Sequence, residues 1–449
     1  MSTDRLLIHD ATLINEGKSF TGHLLIKGNL IEDIFTGHHP FTDDTTVPML
    51  DATGLLLIPG VIDDQVHFRE PGLTHKGDIY SESRAAAAGG VTSFMDMPNT
   101  VPQTTTRSLL EQKFGVAAEA SLVNYSFYLG ATNENLEEIR NVDVKNVCGI
   151  KVFMGASTGN MLVDQPRALE GIFREAPMLI AIHSEHEPTI QANLEKYKQR
   201  YGEEIPWSCH PLIRSAEACL RSTEIAVDLA KKYGSRLHIL HLSTGDECNL
   251  LSPGPVKGKR ITAEVCVHHL WFDDSDYAKL GSHIKWNPAI KTKKDQEALW
   301  KALADGRIDV IATDHAPHTL EEKDRSYFKA PSGGPLIQHS LLAMLEKVRN
   351  GDFTMEQVVE KMCHNVALCF DIQKRGYLRK GYFADVVLID PKKDTPVTQE
   401  TLLYKCQWSP FEGTTFHHAI HSTFVNGKPV FQNGELKEPK SAMPLTFNR

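Results

Sequence analysis

Short apolar runs separated by turn residues occupy both ends of the chain. Near the start the pattern predicts strands at 6–8, 12–14, 22–26 and 30–34, and near the end it predicts strands at 384–389 and 423–430. The Asn426-Gly427 pair inside the last run is typical of a hairpin turn. Two β-rich ends around a different middle predict one small sheet domain that is built from both termini.

The middle of the chain alternates apolar runs with helical stretches. The runs lie at 61–67, 91–97, 124–130, 148–154, 178–183, 236–242, 260–266 and 308–314. Several are apolar without polar alternation, which is typical of strands buried on both faces of a parallel sheet. Helical stretches such as 76–88 and 293–303 follow them. Eight strand–helix units predict an α/β fold, a (β/α)8 TIM-like barrel.

A doubly wound open sheet is the alternative architecture. Its usual companion is a G-x-G-x-x-G turn after an early strand, and no such motif follows an early strand here. We therefore assign residues 59–372 to the barrel and residues 1–58 and 373–449 to the two parts of the terminal domain. A chain of 449 residues also exceeds the size of a single core, which agrees with two domains.

The composition narrows the classes of function. A formal net charge of −9 argues against a nucleic-acid surface. The densest basic cluster is Lys291, Lys293 and Lys294, and we interpret it as the solvated start of a helix. No stretch approaches the ~18 apolar residues of a membrane span, and the first five residues lead into no apolar leader. These features predict a cytoplasmic protein that binds neither nucleic acid nor a membrane.

The eight cysteines are scattered and form no C-x-x-C pair, which predicts buried, reduced thiols and no disulfide framework. Cys266 stands near His268 and His269, which raises the idea of a nucleophilic thiol. No feature marks it as a thiol of low pKa, so we interpret it as a buried structural residue.

Five polar residues stand within or at the ends of predicted strands: His67, Lys151, His183, His241 and Asp314. In a barrel the carboxyl ends of the strands form one rim that carries the active site, so these residues are predicted to converge. Each alone has an ordinary interpretation, because buried histidines are usually satisfied by neighbours, lysine stems reach solvent, and aspartates cap helices. Together, three imidazoles and a carboxylate suit a divalent metal such as zinc.

Lys151 is the unusual member of this group, because a buried ammonium is unfavourable and offers three donors but no acceptor. Reaction of the amine with CO2 would give a carbamate, whose two oxygens and negative charge suit a position between two cations. A carboxylated Lys151 is therefore part of the predicted site.

Several segments resemble those of the dihydroorotase family, in the amidohydrolase superfamily of metal-dependent hydrolases. They lie at 59–72, 97–100, 264–269, 287–288, 313–318 and 409–413, so the resemblance spans nearly the whole chain. It implies an amidohydrolase barrel with a small β-sandwich from the two termini. It also implies a zinc enzyme that hydrolyses (S)-dihydroorotate to N-carbamoyl-L-aspartate, reversibly, in pyrimidine biosynthesis.

The resemblance also implies roles for single residues. The five residues above become the metal site, with Lys151 as a carboxylated bridge and Asp314 as the group that transfers the proton. Substrate-binding roles fall on Arg69, Asn99 and His318, which would hold the substrate carboxylate, and on Asn287 and Gly333, which would contact the pyrimidine ring. A guanidinium holds a carboxylate through two parallel hydrogen bonds, which hydantoins and allantoin do not require.

One position departs from the family pattern. The family usually carries His-x-His on the first strand, whereas this chain has Gln65-Val66-His67. A neutral amide oxygen is a weaker zinc ligand than an imidazole. We therefore expect one firmly bound zinc, held by Lys151, His183 and His241, and a second metal position that Gln65 weakens.

Two other functions remain open. The chain could be a non-catalytic, dihydroorotase-like partner of aspartate transcarbamoylase, since loss of one ligand is how an active site begins to decay. It could also hydrolyse another cyclic amide, such as a hydantoin, a dihydropyrimidine or allantoin. A homodimer is the expected assembly, because two-fold dimers are the commonest oligomers.

Overall fold

The computed structural model describes residues 4–39, 46–155 and 161–449. The predicted lack of a leader rests partly on residues 1–3, which lie outside the described residues. The strands are β1 (Arg5–Asn15), β2 (Lys18–Lys27), β3 (Leu30–Phe35), β4 (Met49–Asp51), β5 (Leu56–Pro59), β6 (Val61–Val66), β7 (Val91–Asp96), β8 (Asn124–Gly130), β9 (Gly149–Phe153), β10 (Ile180–His183), β11 (Leu237–Ile239), β12 (Ile261–Cys266), β13 (Val310–Ala312), β14 (Val386–Asp390), β15 (Thr395–Pro396), β16 (Thr415–Phe416), β17 (Ala419–Val425), β18 (Lys428–Gln432) and β19 (Glu435–Leu436).

The helices lie mainly between the strands of the middle region. They are α1 (Ile79–Ala88), α2 (Arg107–Ala120), α3 (Leu136–Arg140), α4 (Pro166–Glu175), α5 (Glu187–Tyr201), α6 (His210–Ile213), α7 (Ala216–Tyr233), α8 (Val267–Trp271), α9 (Tyr277–Leu280), α10 (Lys293–Ala304), α11 (Leu320–Lys323), α12 (Ser340–Arg349), α13 (Met355–Val359) and α14 (Asn365–Phe370). A π-helical turn, Glu360–His364, joins the last two. Among the described residues, no helix is both long and apolar enough to cross a bilayer.

Eight parallel strands, β6 to β13, follow one another around a barrel in chain order. A parallel bridge between Val66 and His315 closes the gap between the first strand and the last. Each of the eight predicted apolar runs contains one of these strands, so the predicted barrel is confirmed. The strands are buried along nearly their whole length, which is why their sequences lack polar alternation.

The ends of the chain build one sheet of nine strands, in which β5 pairs with β1 and with β14. The segments 6–8 and 12–14, predicted as separate strands, form the single strand β1, whose register shifts between Ile8 and Ala11. Apolar residues on this sheet, including Leu13, Leu57 and Leu388, pack into a core of their own. The boundaries at 58 and 372 stay a prediction.

Helix capping explains one difference from the predicted helices. α1 begins at Ile79, not at 76, because the Asp78 carboxylate accepts the Ser81 N–H at 2.7 Å and caps the first turn. Lys76 therefore lies in the loop before the helix.

α10 begins at Lys293 as predicted, but the interpretation of Lys291 as solvated is wrong, because it is buried and donates to the Ala289 carbonyl at 2.9 Å.

The last residues of the chain return to the barrel. Leu445 and Phe447 are buried in a cluster with Cys148 and Phe370. Arg449 donates to the carbonyls of Cys148 and Phe370, each at 2.8 Å. Because Cys148 immediately precedes β9, this tail lies at the amino ends of the strands, opposite the rim. All eight cysteines are buried and free, as predicted.

Candidate active site at the strand ends

A cavity of about 730 Å³ opens at the carboxyl ends of the barrel strands. All ten of the residues singled out in the sequence line it: His67, Arg69, Asn99, Lys151, His183, His241, Asn287, Asp314, His318 and Gly333. Gln65 lines it too. The predicted convergence of these residues is therefore seen in the fold, while the role of each stays a prediction.

Three of the lining residues have left-handed backbone conformations. The φ angles are +69° at Arg69, +39° at His241 and +48° at Asp314. Such conformations are unfavourable for residues other than glycine and concentrate at functional sites. Here they occur where the chain leaves β6, β11 and β13, so the strand ends turn these side chains toward the cavity.

Two histidines face each other across the rim. Nδ1 of His183 lies 3.0 Å from Nε2 of His241. His183 donates its other ring N–H to Glu185 at 2.9 Å, so its Nδ1 carries a lone pair. Arg214 donates to the same Glu185 oxygen at 2.9 Å. Burial raises the pKa of Glu185, but Arg214 and His183 outweigh burial and lower it to about 2. Glu185 is therefore an ionised carboxylate, and in this form it orients the His183 ring.

A second pair lies on the first and last strands. His67 donates Nδ1–H to the Asn99 amide oxygen at 2.7 Å, so its Nε2 is an acceptor. That acceptor lies 3.1 Å from Oδ1 of Asp314, which is also an acceptor. Burial lowers the pKa of His67, so near pH 7 the imidazole is neutral and its single proton is on Nδ1. No ring proton therefore lies between Nε2 of His67 and Oδ1 of Asp314. Two facing acceptors in a buried site suit a shared cation.

Gln65 approaches the same carboxylate with its nitrogen. Its Nε2 donates to Oδ1 of Asp314 at 3.2 Å, and its amide oxygen lies 3.8 Å from the Cys266 sulfur. Burial raises the pKa of Cys266 well above its ordinary value, which agrees with a structural thiol. Gln65 thus acts in this geometry as a hydrogen-bond donor at the position where the family has an imidazole.

Lys151 is buried within β9, with 1% of its surface exposed. Its amine makes no hydrogen bond or ion pair with any residue in the described parts of the chain, and it lies 4.6 Å from the Phe153 ring centre. Burial lowers the pKa of Lys151 to about 7. Near neutral pH, Lys151 is therefore an uncharged amine in a large fraction of the molecules, and the uncharged amine is the form that reacts with CO2.

The opposite wall of the cavity is cationic. Arg69 donates through Nε to the Pro317 carbonyl at 3.0 Å, and its Nη2 lies 3.0 Å from Nε2 of His318. Burial lowers the pKa of Arg69 to about 10, which leaves it charged at neutral pH. Asn287 accepts the Ser332 hydroxyl at 3.0 Å. These groups form the wall nearest Gly333.

Gly333 has a φ of +124°, which L side chains rarely adopt. A Cβ atom there would lie 2.6 Å from the Ala316 carbonyl oxygen and 3.3 Å from Nε2 of His318. Its N–H donates to the Lys285 carbonyl at 2.8 Å. Only glycine therefore allows the 331–334 segment to lie against this wall.

The sequence argument missed a polar group beneath the rim. Asp64, His238 and Glu264 are fully buried, and one possible ligand atom from each lies within 4.8 Å of the others, so the group could hold a cation. The sequence feature that could have revealed this group is the presence of polar residues inside the apolar runs of β6, β11 and β12. None of the three lines the cavity. Glu264 accepts the His241 backbone N–H at 2.9 Å, which ties the group to the rim.

His238 explains how two carboxylates coexist there. Its Nε2 lies 3.1 Å from Asp64 and 3.7 Å from Glu264. Burial lowers the pKa of His238, but Cys369 and the two carboxylates together raise it well above its ordinary value. Burial and the nearby Asp64 raise the pKa of Glu264 to about 7, so part of the negative charge is removed by protonation and part is offset by the imidazole.

Comparisons with known proteins agree with this geometry. The model of the amidohydrolase family matches residues 56–430. The chain is 35% identical to a dihydroorotase from Halobacterium salinarum over 80% of its own length and 82% of that protein. It is 31% identical to an allantoinase from Streptomyces avermitilis over 86% and 87% of the two chains.

Among solved structures, the L-hydantoinase of Arthrobacter aurescens superposes with a TM-score of 0.92 at 28% identity, over 98% of this chain and 99% of that one. These three proteins carry different names, a dihydroorotase, an allantoinase and a hydantoinase. The barrel, the rim of imidazoles around Lys151 and the match over 56–430 lead to one conclusion: this chain belongs to the metal-dependent amidohydrolase family and acts on cyclic amides.

Proposed function

We propose that the chain is a dihydroorotase, which reversibly hydrolyses (S)-dihydroorotate to N-carbamoyl-L-aspartate in pyrimidine biosynthesis. The observation that carries this choice is Arg69, a buried guanidinium in the cavity wall two residues beyond His67. Dihydroorotate carries a ring carboxylate, and a planar guanidinium binds a carboxylate with two parallel hydrogen bonds. His318 and the amide nitrogen of Asn99 would add donors beside it.

The metal site is part of the same proposal. Lys151, His183 and His241 would hold one zinc ion, with Lys151 as a carbamate, and His67 and Asp314 would complete the site. The facing acceptors of His67 and Asp314 and the facing nitrogens of His183 and His241 support this assignment. A second metal would be weak, because Gln65 supplies no imidazole. Bound zinc would polarise the ring carbonyl and increase the acidity of a water molecule.

The chain's own residues would carry out the remaining steps. Asp314 accepts a hydrogen bond from Gln65, which orients its carboxylate to take a proton from the attacking water and pass it to the ring nitrogen that leaves. Arg69 would hold the substrate so that its ring amide lies at the metal residues. In the biosynthetic direction the same groups would act in reverse order.

The test is a comparison of substrates on the purified, zinc-loaded chain. We expect kcat/KM for dihydroorotate to exceed that for dihydrouracil, hydantoin and allantoin by about 100-fold or more, because charge-assisted hydrogen bonds to the carboxylate are lost with neutral rings. Arg69→Met should lower kcat/KM for dihydroorotate by about 100-fold, and Arg69→Lys should recover only part of it.

Preference for hydantoin or allantoin would replace dihydroorotase with another cyclic amidase, as the names of some relatives suggest. A zinc-loaded chain that hydrolyses none of these rings would favour the non-catalytic partner of aspartate transcarbamoylase. That complex, the homodimer and a cytoplasmic location stay predictions. Sedimentation of the chain alone, and with aspartate transcarbamoylase, would measure the first two.

A further inference from the structure

Lys76 lines the cavity but belongs to none of the predicted site residues. It lies in the loop between β6 and α1, and its side chain is 13% exposed. Its Nζ lies 3.0 Å from Nδ1 of His318 and 3.1 Å from Oε1 of Glu322. Lys76 therefore lies in the cavity wall and contacts the proposed carboxylate-binding group at Nδ1 of His318.

This contact influences which nitrogen of His318 carries the proton. A lysine ammonium and an arginine guanidinium only donate hydrogen bonds, so Lys76 favours an accepting Nδ1, while Arg69, 3.0 Å from Nε2, favours an accepting Nε2. The Glu322 carboxylate, which would favour a proton on Nδ1, is farther from that atom, at 3.7 Å. The Ser332 carbonyl, 3.0 Å from Nε2, is the nearer acceptor, so together with Lys76 it favours the ring proton on Nε2 over the opposing contact from Arg69. Burial, with Arg69 and Lys76, lowers the pKa of His318 well below its ordinary value, so the ring is neutral.

The charges around His318 do not balance. Arg69 lies on the Nε2 side and Lys76 on the Nδ1 side, both cationic, while Glu322 is the carboxylate that contacts this group. Among these contacting groups, positive charge exceeds negative charge by one, in a wall whose arginine is 7% exposed; the carboxylates of Asp314 and Asp96 also act on Arg69 through space. A buried net charge is unfavourable unless a partner neutralises it, and a carboxylate on the ligand would do so.

We propose that Lys76 is a positioning and specificity-determining residue: it holds His318 as an Nε2–H donor and adds positive charge, so the site selects cyclic amides that carry a carboxylate. This inference rests on the proposed function, since it concerns the same substrate. Lys76 does not touch the reacting ring amide in this scheme, so it acts on binding and orientation and leaves the chemical step largely unchanged.

The experiment compares Lys76→Met, Lys76→Arg and the double variant Lys76→Met/Glu322→Gln with wild type. Lys329→Met is the matched control, because Lys329 is an exposed lysine of the neighbouring 320–334 segment. Binding is measured by calorimetry with orotate, a planar carboxylate that contains no hydrolysable dihydro ring. Kinetics are measured with dihydroorotate and with the neutral ring dihydrouracil.

We expect Lys76→Met to raise the Kd of orotate and the KM of dihydroorotate about 10- to 100-fold, with kcat changed less than about 3-fold. Constants for dihydrouracil should not change, Lys76→Arg should restore most of the binding, and Lys329→Met should match wild type. The double variant should stay weak. Recovery of orotate binding in it would overturn the proposal, because the loss would then come from an unpaired Glu322 alone.

Equal losses with orotate and with dihydrouracil would also overturn the proposal, because they would indicate a general disturbance of the cavity. Circular dichroism and zinc content establish that each variant is folded and loaded. Failure of the proposed function is a separate result: wild-type protein would then prefer a neutral ring, and this is measured before any Lys76 variant is made.

Discussion

Gln65 shows how one side chain changes the number of ligands that a proposed metal site can offer. An imidazole at this position would direct a lone pair at the cavity, whereas the Gln65 amide directs an N–H at Asp314. The contact orients the carboxylate but gives a cation nothing to bind. At the scale of single residues, Gln65 therefore holds the proposed proton-transferring group, Asp314, in place, while the proposed metal site has one imidazole fewer.

Replacement of Gln65 by histidine should strengthen the second metal position. We expect the zinc content to rise from about one toward two ions per chain, since an imidazole is a much better zinc ligand than an amide. Elemental analysis after dialysis against dilute chelator measures this. Gln65→Leu is the control, because it removes the hydrogen bond to Asp314 without adding a ligand. Equal zinc in wild type and Gln65→His would contradict the proposed second position.

The strands were predictable because burial on both faces leaves an uninterrupted apolar run, a local signal. The starts of the helices were less predictable. α1 begins at Ile79 and not at 76 because of the Asp78 cap, and this later start leaves Lys76 in the loop that forms part of the cavity wall. Which nitrogen of His318 carries the proton depends on Lys76 and Arg69, which are far away in sequence, as well as on Ser332. Such contacts need the assembled barrel, so sequence patterns placed the site residues on the rim but not their partners.

The start of α12 should make the fold sensitive to acid. His339 precedes this helix, is 1% exposed, and accepts the Tyr404 hydroxyl through Nδ1 at 3.1 Å. That hydroxyl accepts the Gln338 N–H at 3.0 Å, so its proton is free to bond to His339. Burial lowers the pKa of His339 from 6.5 to about 3. Between those values the unfolded chain binds a proton that the folded chain does not, so stability falls as the pH falls.

His339→Gln should therefore reduce the loss of stability between pH 6.5 and 4.5. One such group contributes about 1.4 kcal/mol per pH unit in this window, and nothing above it. Urea unfolding of both proteins at pH 8, 6.5, 5.5 and 4.5 measures the difference. At pH 8 the variant should have the lower free energy of unfolding. The difference in free energy of unfolding between wild type and variant should become smaller, or change sign, as the pH is lowered. Parallel pH curves would show that His339 stays accessible to protons in the fold.

At the scale of the whole molecule, the two ends of the barrel have different tasks. The rim carries the strained residues, the cations and the open cavity, whereas the amino ends of the strands are covered by α14 and the returning tail. Phe447 belongs to that cover and is 1% exposed. Such a division predicts that stability and activity can be changed separately.

Phe447→Ala should lower the free energy of unfolding by about 3–5 kcal/mol, the range for removing a buried phenylalanine. KM for the substrate and zinc content should not change, because within the described residues Phe447 packs in a cluster that shares no residue with the cavity lining. Leu368→Ala is the control, since Leu368 lies on α14 but is 40% exposed, and it should cost less than about 1 kcal/mol. Urea unfolding and steady-state kinetics on the same preparations give both quantities. A rise in KM together with the loss of stability would mean that packing at the closed end positions the rim.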